Sequence, residues 1–177
     1  ASYALDNIIT VASHSSNNAK SWFSNSGRVS VDLAAPGDSI LSTVDPQALY
    51  EYDYGTSMAS PHVAGTIGLV WSRFPYLTWE QMRARILSAV TPVDWLNNFV
   101  ATGGRLDAAR PMGIWVQYGG NGQEGTYSSP YINLNTALPW VPVHGHLFIR
   151  PTTTNWTGTI NKAMRIEAAG GQVTIGR

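Results

Sequence analysis

The sequence predicts an α/β fold with a mostly parallel sheet, followed by a small β-rich segment. Three short runs rich in Val, Ile and Leu, at residues 8–12, 29–33 and 40–43, are typical of buried strands. The helix predicted from Ser57 to about Arg73 is apolar on nearly all sides, which favours a place in the core. Together these observations predict helices packed on a sheet, with the serine-led helix buried between layers.

A second, amphipathic helix is predicted after the first. Thr78 and Gln81 have the spacing of a capping box, which marks a helix start. Apolar residues then recur on one face at helical spacing, namely Met82, Ile86, Leu87 and Val90. Pro92 ends this pattern, and a short helical turn is predicted at 106–110.

The composition excludes several classes of protein. Net charge is zero, which speaks against nucleic acid or an anionic membrane surface as a partner. There is no cysteine, so there is no disulfide framework, and no apolar run reaches the ~20 residues of a membrane span. Only 12% of the residues are charged, and Ser, Thr, Asn and Gly take their place. We associate this composition with secreted or cell-surface bacterial proteins.

The most informative stretch is GTSMASPHVAG, residues 55–65. It predicts a serine at the start of a helix, where unpaired backbone N–H groups and the positive end of the helix dipole stabilise a developing oxyanion. Gly55 permits a tight turn and the close approach of another segment. Pro61 is expected close behind the helix start, where a missing N–H costs least. On these residues alone, Ser57 as a simple helix cap remains an alternative.

All eleven residues match the serine motif of the subtilisin-like proteases, or subtilases, which the chain therefore resembles. Five flanking segments are similar to that family too, at residues 7–12, 21–27, 31–37, 40–43 and 103–108. The resemblance covers about residues 5–112 and implies a partial three-layer subtilisin-like fold. It assigns 1–112 to the C-terminal part of a peptidase domain and leaves 113–177 as a β-rich accessory segment.

The resemblance implies a serine endopeptidase that hydrolyses peptide bonds of a peptide or protein substrate. Ser57 would attack the scissile carbonyl and form an acyl-enzyme. The Ser57 backbone N–H would supply one oxyanion donor, with support from the Thr56 hydroxyl. The other motif positions would have structural roles, namely Gly55, Met58, Pro61, His62 and Gly65.

The chain lacks the groups that would activate this serine. A serine nucleophile needs a base and a carboxylate that orients the base, and the family's chain order is Asp, His, Ser. Residues 1–56 contain neither an Asp-Ser/Thr-Gly nor a His-Gly-Thr motif. The resemblance places the Asp, the His and the oxyanion Asn upstream, so we expect a complementary N-terminal subtilase segment as partner. Processing or truncation would produce such a chain, which we expect to be inactive alone.

The four histidines are not expected to supply the base. His62 follows Ser57 by five residues and so points to a different face of the helix. His14 lies in a polar turn and is expected to be solvated. His144 and His146 share a face of a predicted strand, where a surface pair is favoured over a metal site. We therefore predict no metal and no cofactor; calcium is possible in a complete family domain, but this chain has no dense acidic loop.

The segment 113–177 has a different sequence pattern from the preceding residues. Short strand-like runs, separated by small turns, are predicted at 114–118, 146–150, 158–160, 164–168 and 172–176, with one short helix at 133–138. The stretches 125–131 and 170–176 resemble the opening rungs of a right-handed parallel β-helix of the pectate-lyase-like kind. Such a stack either continues beyond residue 177 or folds back on the protease part, and a small antiparallel sheet is an equal alternative.

Two further hypotheses concern binding. Tyr54 and Asp53 are candidates for the leaving-group side of the serine. In the competing function the chain is a surface module that binds glycan or protein on a pseudoprotease scaffold. Three tryptophans would then be candidates for stacking on sugars, namely Trp115, Trp140 and Trp156.

Overall fold

The computed structural model describes residues 5–45, 49–127, 129–141, 143 and 145–176. The chain divides into two compact units, one up to Asp107 and one from Ala108 onward. Each unit has β-sheets of its own. The functional division at residues 112 and 113 stays a prediction.

Within the described residues, the first unit has a four-stranded sheet, a two-stranded hairpin and two α-helices. Its elements in chain order are β1 (Val11–His14), β2 (Leu33–Pro36), β3 (Ile40–Thr43), β4 (Tyr50–Asp53), α1 (Thr56–Arg73), α2 (Trp79–Ser88), β5 (Thr91–Pro92) and β6 (Gly104–Arg105). The sheet order is β1-β2-β6-β5, parallel except for the edge strand β5, and β3 pairs with β4. The predicted α/β class with a mostly parallel sheet is therefore confirmed.

The first two strands begin later in the chain than the sequence predicts. The backbone N–H of Thr10 donates to Asp32 Oδ2 at 2.8 Å, and the N–H of Asp32 donates to the Thr10 carbonyl at 2.9 Å. Arg83 Nη2 pairs with Asp32 Oδ1 at 2.7 Å. These bonds join the two segments one residue ahead of the parallel ladder, which starts where Val11 faces Leu33.

Helix α1 has the predicted bounds, but only one of its faces is buried. The inner face packs toward β1 and β2 and buries four side chains, namely Ala59, Val63, Thr66 and Val70. The outer face is uncovered: Leu69 is 50% exposed, and no atom lies within 4 Å of where a Cβ would stand on Gly65 or Gly68. The prediction of a helix buried between layers is therefore wrong for the described residues, because they cover this helix on one side only.

Pro61 also departs from its predicted place. It lies inside α1, at the sixth helical position, and not in the first turn. A proline there has no N–H to donate to the carbonyl four residues earlier, which belongs to Ser57. The helix therefore gives up one backbone hydrogen bond directly behind the serine.

Helix α2 begins as the sequence predicts. Its N-cap Thr78 and Gln81 form the capping box, with the Gln81 N–H donating to Thr78 Oγ1 at 3.4 Å and the Thr78 N–H donating to Gln81 Oε1 at 3.0 Å. The helix buries Met82, Arg85 and Ile86. It ends at Ser88, before Val90, so it is shorter than predicted, and Pro92 lies beyond it in β5.

The second unit is a parallel stack of short strands. Its elements are β7 (Ile114–Val116), α3 (Leu134–Ala137), β8 (Gly145–Ile149), β9 (Thr152–Thr154), β10 (Met164–Ala168) and β11 (Val173–Ile175). One sheet has the order β10-β8-β7 and the other pairs β11 with β9, and every pair is parallel. Of the two alternatives for this segment, the structure therefore has the parallel stack and not the antiparallel sheet.

Two local predictions in this region are wrong. Residues 158–160 form no strand; the strand lies earlier, at β9, directly after the turn at Pro151. The helical turn expected at 106–110 is a 3₁₀ turn at Arg110–Met112, because residues 104–105 are taken up by β6. The short helix predicted at 133–138 is confirmed, with Asn133 as its N-cap.

Candidate active site

Ser57 is the second residue of α1, and its side chain is exposed. Gly55 is the N-cap, and its carbonyl accepts the N–H groups of Met58 at 3.0 Å and Ala59 at 3.3 Å. Thr56 and Ser57 therefore occupy the two positions whose N–H groups have no acceptor within the helix. The hydroxyl of Ser57 lies at the positive end of the helix dipole, where an anion is stabilised.

A close backbone contact holds the helix start against the sheet. The N–H of Gly55 donates to the Gly37 carbonyl at 2.7 Å. A Cβ on Gly37 would stand 2.6 Å from the Gly55 carbonyl oxygen, 2.5 Å from Ser13 Oγ and 3.0 Å from Ala59 Cβ. Only glycine fits there without displacement, so Gly37 positions the serine although sequence reasoning gave it no role. Its signal was the Pro36-Gly37 pair directly after a strand.

A buried serine network lies at the same end of the sheet. Ser13 and Ser21 hydroxyls are 2.7 Å apart, and the Ser13 N–H donates to Ser24 Oγ at 2.8 Å. All three side chains are buried. The network ties the end of β1 to the segment 21–27, and no sequence signal beyond a serine-rich composition announced it. The Ser24 hydroxyl in turn donates to the Asn25 carbonyl at 3.0 Å, so each of the three buried hydroxyls has a hydrogen-bond partner, which offsets the cost of burying it.

The side chain of His62 is hydrogen-bonded within its own helix. Its Nδ1–H donates to the Met58 carbonyl at 2.8 Å, and its own carbonyl accepts from Thr66 Oγ1 at 2.8 Å. The side chain is half-buried. This arrangement suits a structural residue better than a base for Ser57, whose hydroxyl lies five residues earlier on another face.

His14 is buried, which corrects the expectation that it is solvated. It is 4% exposed at the end of β1, and its Nδ1–H donates to the Ser15 carbonyl at 2.8 Å. Its Nε2 is buried without a hydrogen-bond partner among the described residues. Burial lowers the pKa of His14; the bond to Ser15 opposes this shift, and repulsion from Arg105 and His62 adds to it. The imidazole is therefore held in its neutral form.

Of the remaining two histidines, the structure describes only His146. His146 is half-buried and meets the ring of Phe148 edge to face at 5.9 Å, while His144 lies outside the described residues. The part of the chain that the structure describes contains no group of three or more His, Cys, Asp or Glu placed to hold a metal ion.

Aromatic side chains lie close to one another in the segment before Ser57 and at residues 22–23. Tyr54, three residues before Ser57, is exposed, and its ring centroid lies 5.9 Å from that of Phe23. Phe23 in turn meets the exposed Trp22 edge to face at 5.6 Å. The Asp53 carboxylate accepts the Tyr54 N–H at 2.7 Å. Tyr54 thus offers an exposed ring three residues before the serine in the chain, whereas the Asp53 carboxylate is engaged by the backbone.

The three tryptophans proposed for sugar stacking lie in different environments. Trp115 is 2% exposed and stacks on Phe148 at 4.5 Å, so it is a core residue and the proposal is wrong for it. Trp140 is exposed. Trp156 is half-buried, and its Nε1–H donates to Asn135 Oδ1 at 2.8 Å beside a groove of about 300 Å³.

Comparisons with known proteins identify the family of this chain. The model of the subtilase family, Peptidase_S8, matches residues 1–122. The chain is 42% identical over 86 residues to subtilisin DY of Bacillus licheniformis, covering 49% of this chain and 31% of that protein. It is 48% identical over 75 residues to an extracellular protease of Xanthomonas campestris pv. campestris, covering 39% of this chain and 13% of that protein. The chain belongs to the subtilase family.

A solved structure supports the fold. The A-subunit of the AB5 toxin from E. coli matches with a TM-score of 0.50 and 26% identity, over 56% of this chain and 35% of that chain. The protein thus has a partial subtilisin-like α/β fold, and it spans about a third or less of the length of these relatives. No helix among the described residues is long and apolar enough to cross a membrane.

Proposed function

We propose that this chain supplies the nucleophile of a subtilisin-type serine endopeptidase. The observation that carries the proposal is the exposed Ser57 in the first turn of α1, within a chain of the subtilase family. Its substrate class is peptide or protein. At neutral pH the serine hydroxyl is protonated, and it becomes a competent nucleophile only when a base removes its proton.

The proposed reaction uses this chain at two points. Ser57 Oγ attacks the scissile carbonyl carbon, and its proton passes to an imidazole that this chain does not provide. The backbone N–H of Ser57 donates to the oxyanion of the tetrahedral intermediate, with the Thr56 hydroxyl in support. As the intermediate collapses, the imidazolium returns the proton to the departing amine, and the resulting acyl-enzyme is then hydrolysed by water.

A complementary N-terminal segment is the proposed source of the Asp, the His and the oxyanion Asn. The support is the uncovered apolar surface on α1 and beside it. A groove of about 220 Å³ runs along that helix, and its lining includes the half-buried Ile9 and Ile67 and the exposed Trp71 and Trp79, which come from three segments. Apolar surface of this kind is stabilised when a further layer removes it from water.

Labelling with a fluorophosphonate tests this proposal. The chain is treated alone and after co-expression with the polypeptide that its gene encodes upstream. We expect modification of Ser57 only in the second sample, because an unassisted serine loses nearly all of the triad's contribution. Ser57→Ala must abolish labelling, whereas Ser72→Ala, at an exposed serine near the end of the same helix, must leave it unchanged. Peptidase activity that survives Ser57→Ala would refute the proposal.

We also propose that the protein acts outside a bacterial cell and needs no cofactor for acyl transfer. A relative named as an extracellular protease supports the location. Calcium would serve only the complete domain. If chelator abolishes the peptidase activity of the complemented enzyme while its circular dichroism stays unchanged, and Ca²⁺ restores the activity, the cofactor part is overturned.

Glycan binding by the second unit is a second candidate function. The observation in its favour is the groove of about 300 Å³ beside Trp156, which is lined by Asn135, Asn161 and Lys162. An indole ring and carboxamides suit a saccharide, which presents C–H faces and hydroxyl groups. We expect cellohexaose or oligogalacturonate to quench tryptophan fluorescence. Trp156→Ala should remove the effect and Trp140→Ala, outside this groove, should retain it; no quenching by either sugar contradicts this candidate.

A further inference from the structure

The second unit is built from rungs that repeat along the chain. Strands β8 and β9 are separated only by residues 150–151, and β10 and β11 by residues 169–172. Gly145 pairs with Met164, 19 residues later, and Thr152 pairs with Val173, 21 residues later. Each rung therefore consists of one strand in each sheet, and the following rung lies in register on both.

The strand stack is capped at its β7 end, but its β10–β11 end is open among the described residues. At the β7 end, the Trp115 N–H donates to the Gly125 carbonyl at 2.9 Å. The Tyr131 N–H donates to the Trp115 carbonyl at 2.8 Å, and the Gln117 N–H donates to the Tyr131 carbonyl at 2.8 Å. Gly125 and Tyr131 therefore cap that edge. At the opposite end, neither β10 nor β11 has a further ladder neighbour among the described residues.

The burial of the side chains also differs between the two ends of the stack. Ile114, Leu147 and Ile166 form one aliphatic ladder across β7, β8 and β10. Ile114 is 3% exposed and Leu147 is fully buried, but Ile166 is 42% exposed. On β11, Ile175 is exposed as well. On β10 the last rung thus presents the same kind of side chain as β7 and β8 do, without the neighbour that buries it.

We propose that the β10–β11 edge binds a further rung of the same polypeptide, supplied by sequence that follows position 177. The interface would continue the existing one: a parallel strand on β10 with an aliphatic residue opposite Ile166, and a second parallel strand on β11. The repeat distance identifies the source, because each rung comes from the next ~20 residues of chain. At this spacing the next strand begins about ten residues after Ile175, as β10 does after β9. This inference is independent of the peptidase chemistry.

An open double edge of this kind carries two costs that a rung would remove. Backbone N–H and C=O groups on the outer side of both strands form a template for unwanted pairing. A stack of few repeats also buries too little apolar surface for its terminal unit. The charged residues of β10, Arg165 and Glu167, alternate with Ile166 along the strand and so project from the other face of the sheet, where they do not cover the ladder.

Amide hydrogen exchange tests the proposal. Two proteins are compared: residues 1–177, and the same chain extended through the next ~30 codons of its gene, enough for one rung. In the shorter protein we expect the β10 amides to exchange much faster than those of β8. In the longer protein we expect exchange in β10 to slow at least ~100-fold, with β8 changing less.

Variants and a sizing experiment separate the outcomes. Ile166→Asp should leave the thermal midpoint of the shorter protein nearly unchanged and lower that of the longer one clearly, whereas Glu167→Gln, on the other face, should affect neither. Equal β10 exchange in both proteins would overturn the proposal. So would protection of β10 in the shorter protein that rises with concentration alongside dimer formation, since a second copy would then cover the edge.

Discussion

The two faces of helix α1 are similar in composition and opposite in environment. The inner face packs on β1 and β2 and buries Val63 and Val70, whereas the outer face leaves Leu69 and Trp71 exposed. A helix that is apolar on all sides can be covered on both faces. This pattern does not predict that the described residues cover both of them. The difference locates the surface where the proposed complementary segment would bind.

Introducing an aspartate on either face of α1 should give the largest difference in stability between the two faces. Val70→Asp puts a carboxylate in the interior and should cost about 3–5 kcal/mol, or prevent folding. Leu69→Asp, one residue earlier on the exposed face, should cost less than about 1 kcal/mol. Urea unfolding followed by circular dichroism measures both. With the complementary segment bound, Leu69→Asp should become strongly destabilising; equal costs for the two variants in the chain alone would show that the outer face is covered.

Two glycines provide a smaller test of the same contrast. Gly37 lies under the inner side, where an added Cβ meets the Gly55 carbonyl at 2.6 Å, so Gly37→Ala should destabilise the chain by about 1–3 kcal/mol. Gly65 lies on the outer side in open space, and Gly65→Ala should stabilise it by about 0.5–1 kcal/mol. Denaturation midpoints decide between these signs. A loss of stability in Gly65→Ala would indicate that another layer already contacts this face.

The smallest expected effect is a pH dependence at His14. Its folded pKa is lowered from the ordinary value of 6.5, mainly by burial, so the unfolded chain binds the proton first as the pH falls. The His14 contribution is therefore neutral well above pH 6.5 and becomes destabilising as the pH drops through that value. The midpoint of urea unfolding should fall between about pH 8 and pH 5.5.

A matched pair of variants isolates this histidine. His14→Gln should lose most of that pH-dependent fall, whereas His146→Gln, at a half-buried histidine in the second unit, should retain it. A wild-type midpoint that stays constant across the range would show that His14 is accessible to solvent and protonates freely in the folded chain.

Features encoded over a few neighbouring residues could be predicted from the sequence. The bounds of α1, the capping box of Thr78 and Gln81, and the short helix capped by Asn133 all follow from local spacing and cap chemistry. Strand β10 also lies where its pattern placed it. For the same reason the serine could be located at a helix start.

Burial and pairing depended on residues distant in the chain, and only the tertiary structure decided them. Asp32 joins the segments that lead into β1 and β2, Gly37 set how closely the serine helix approaches the sheet, and His14, expected in a solvated turn, proved to be buried at the end of β1. The second unit's strands could equally have paired antiparallel. Local sequence specifies which conformations a segment favours, but the partner that covers it is chosen by the free energy of long-range packing, which no short pattern contains.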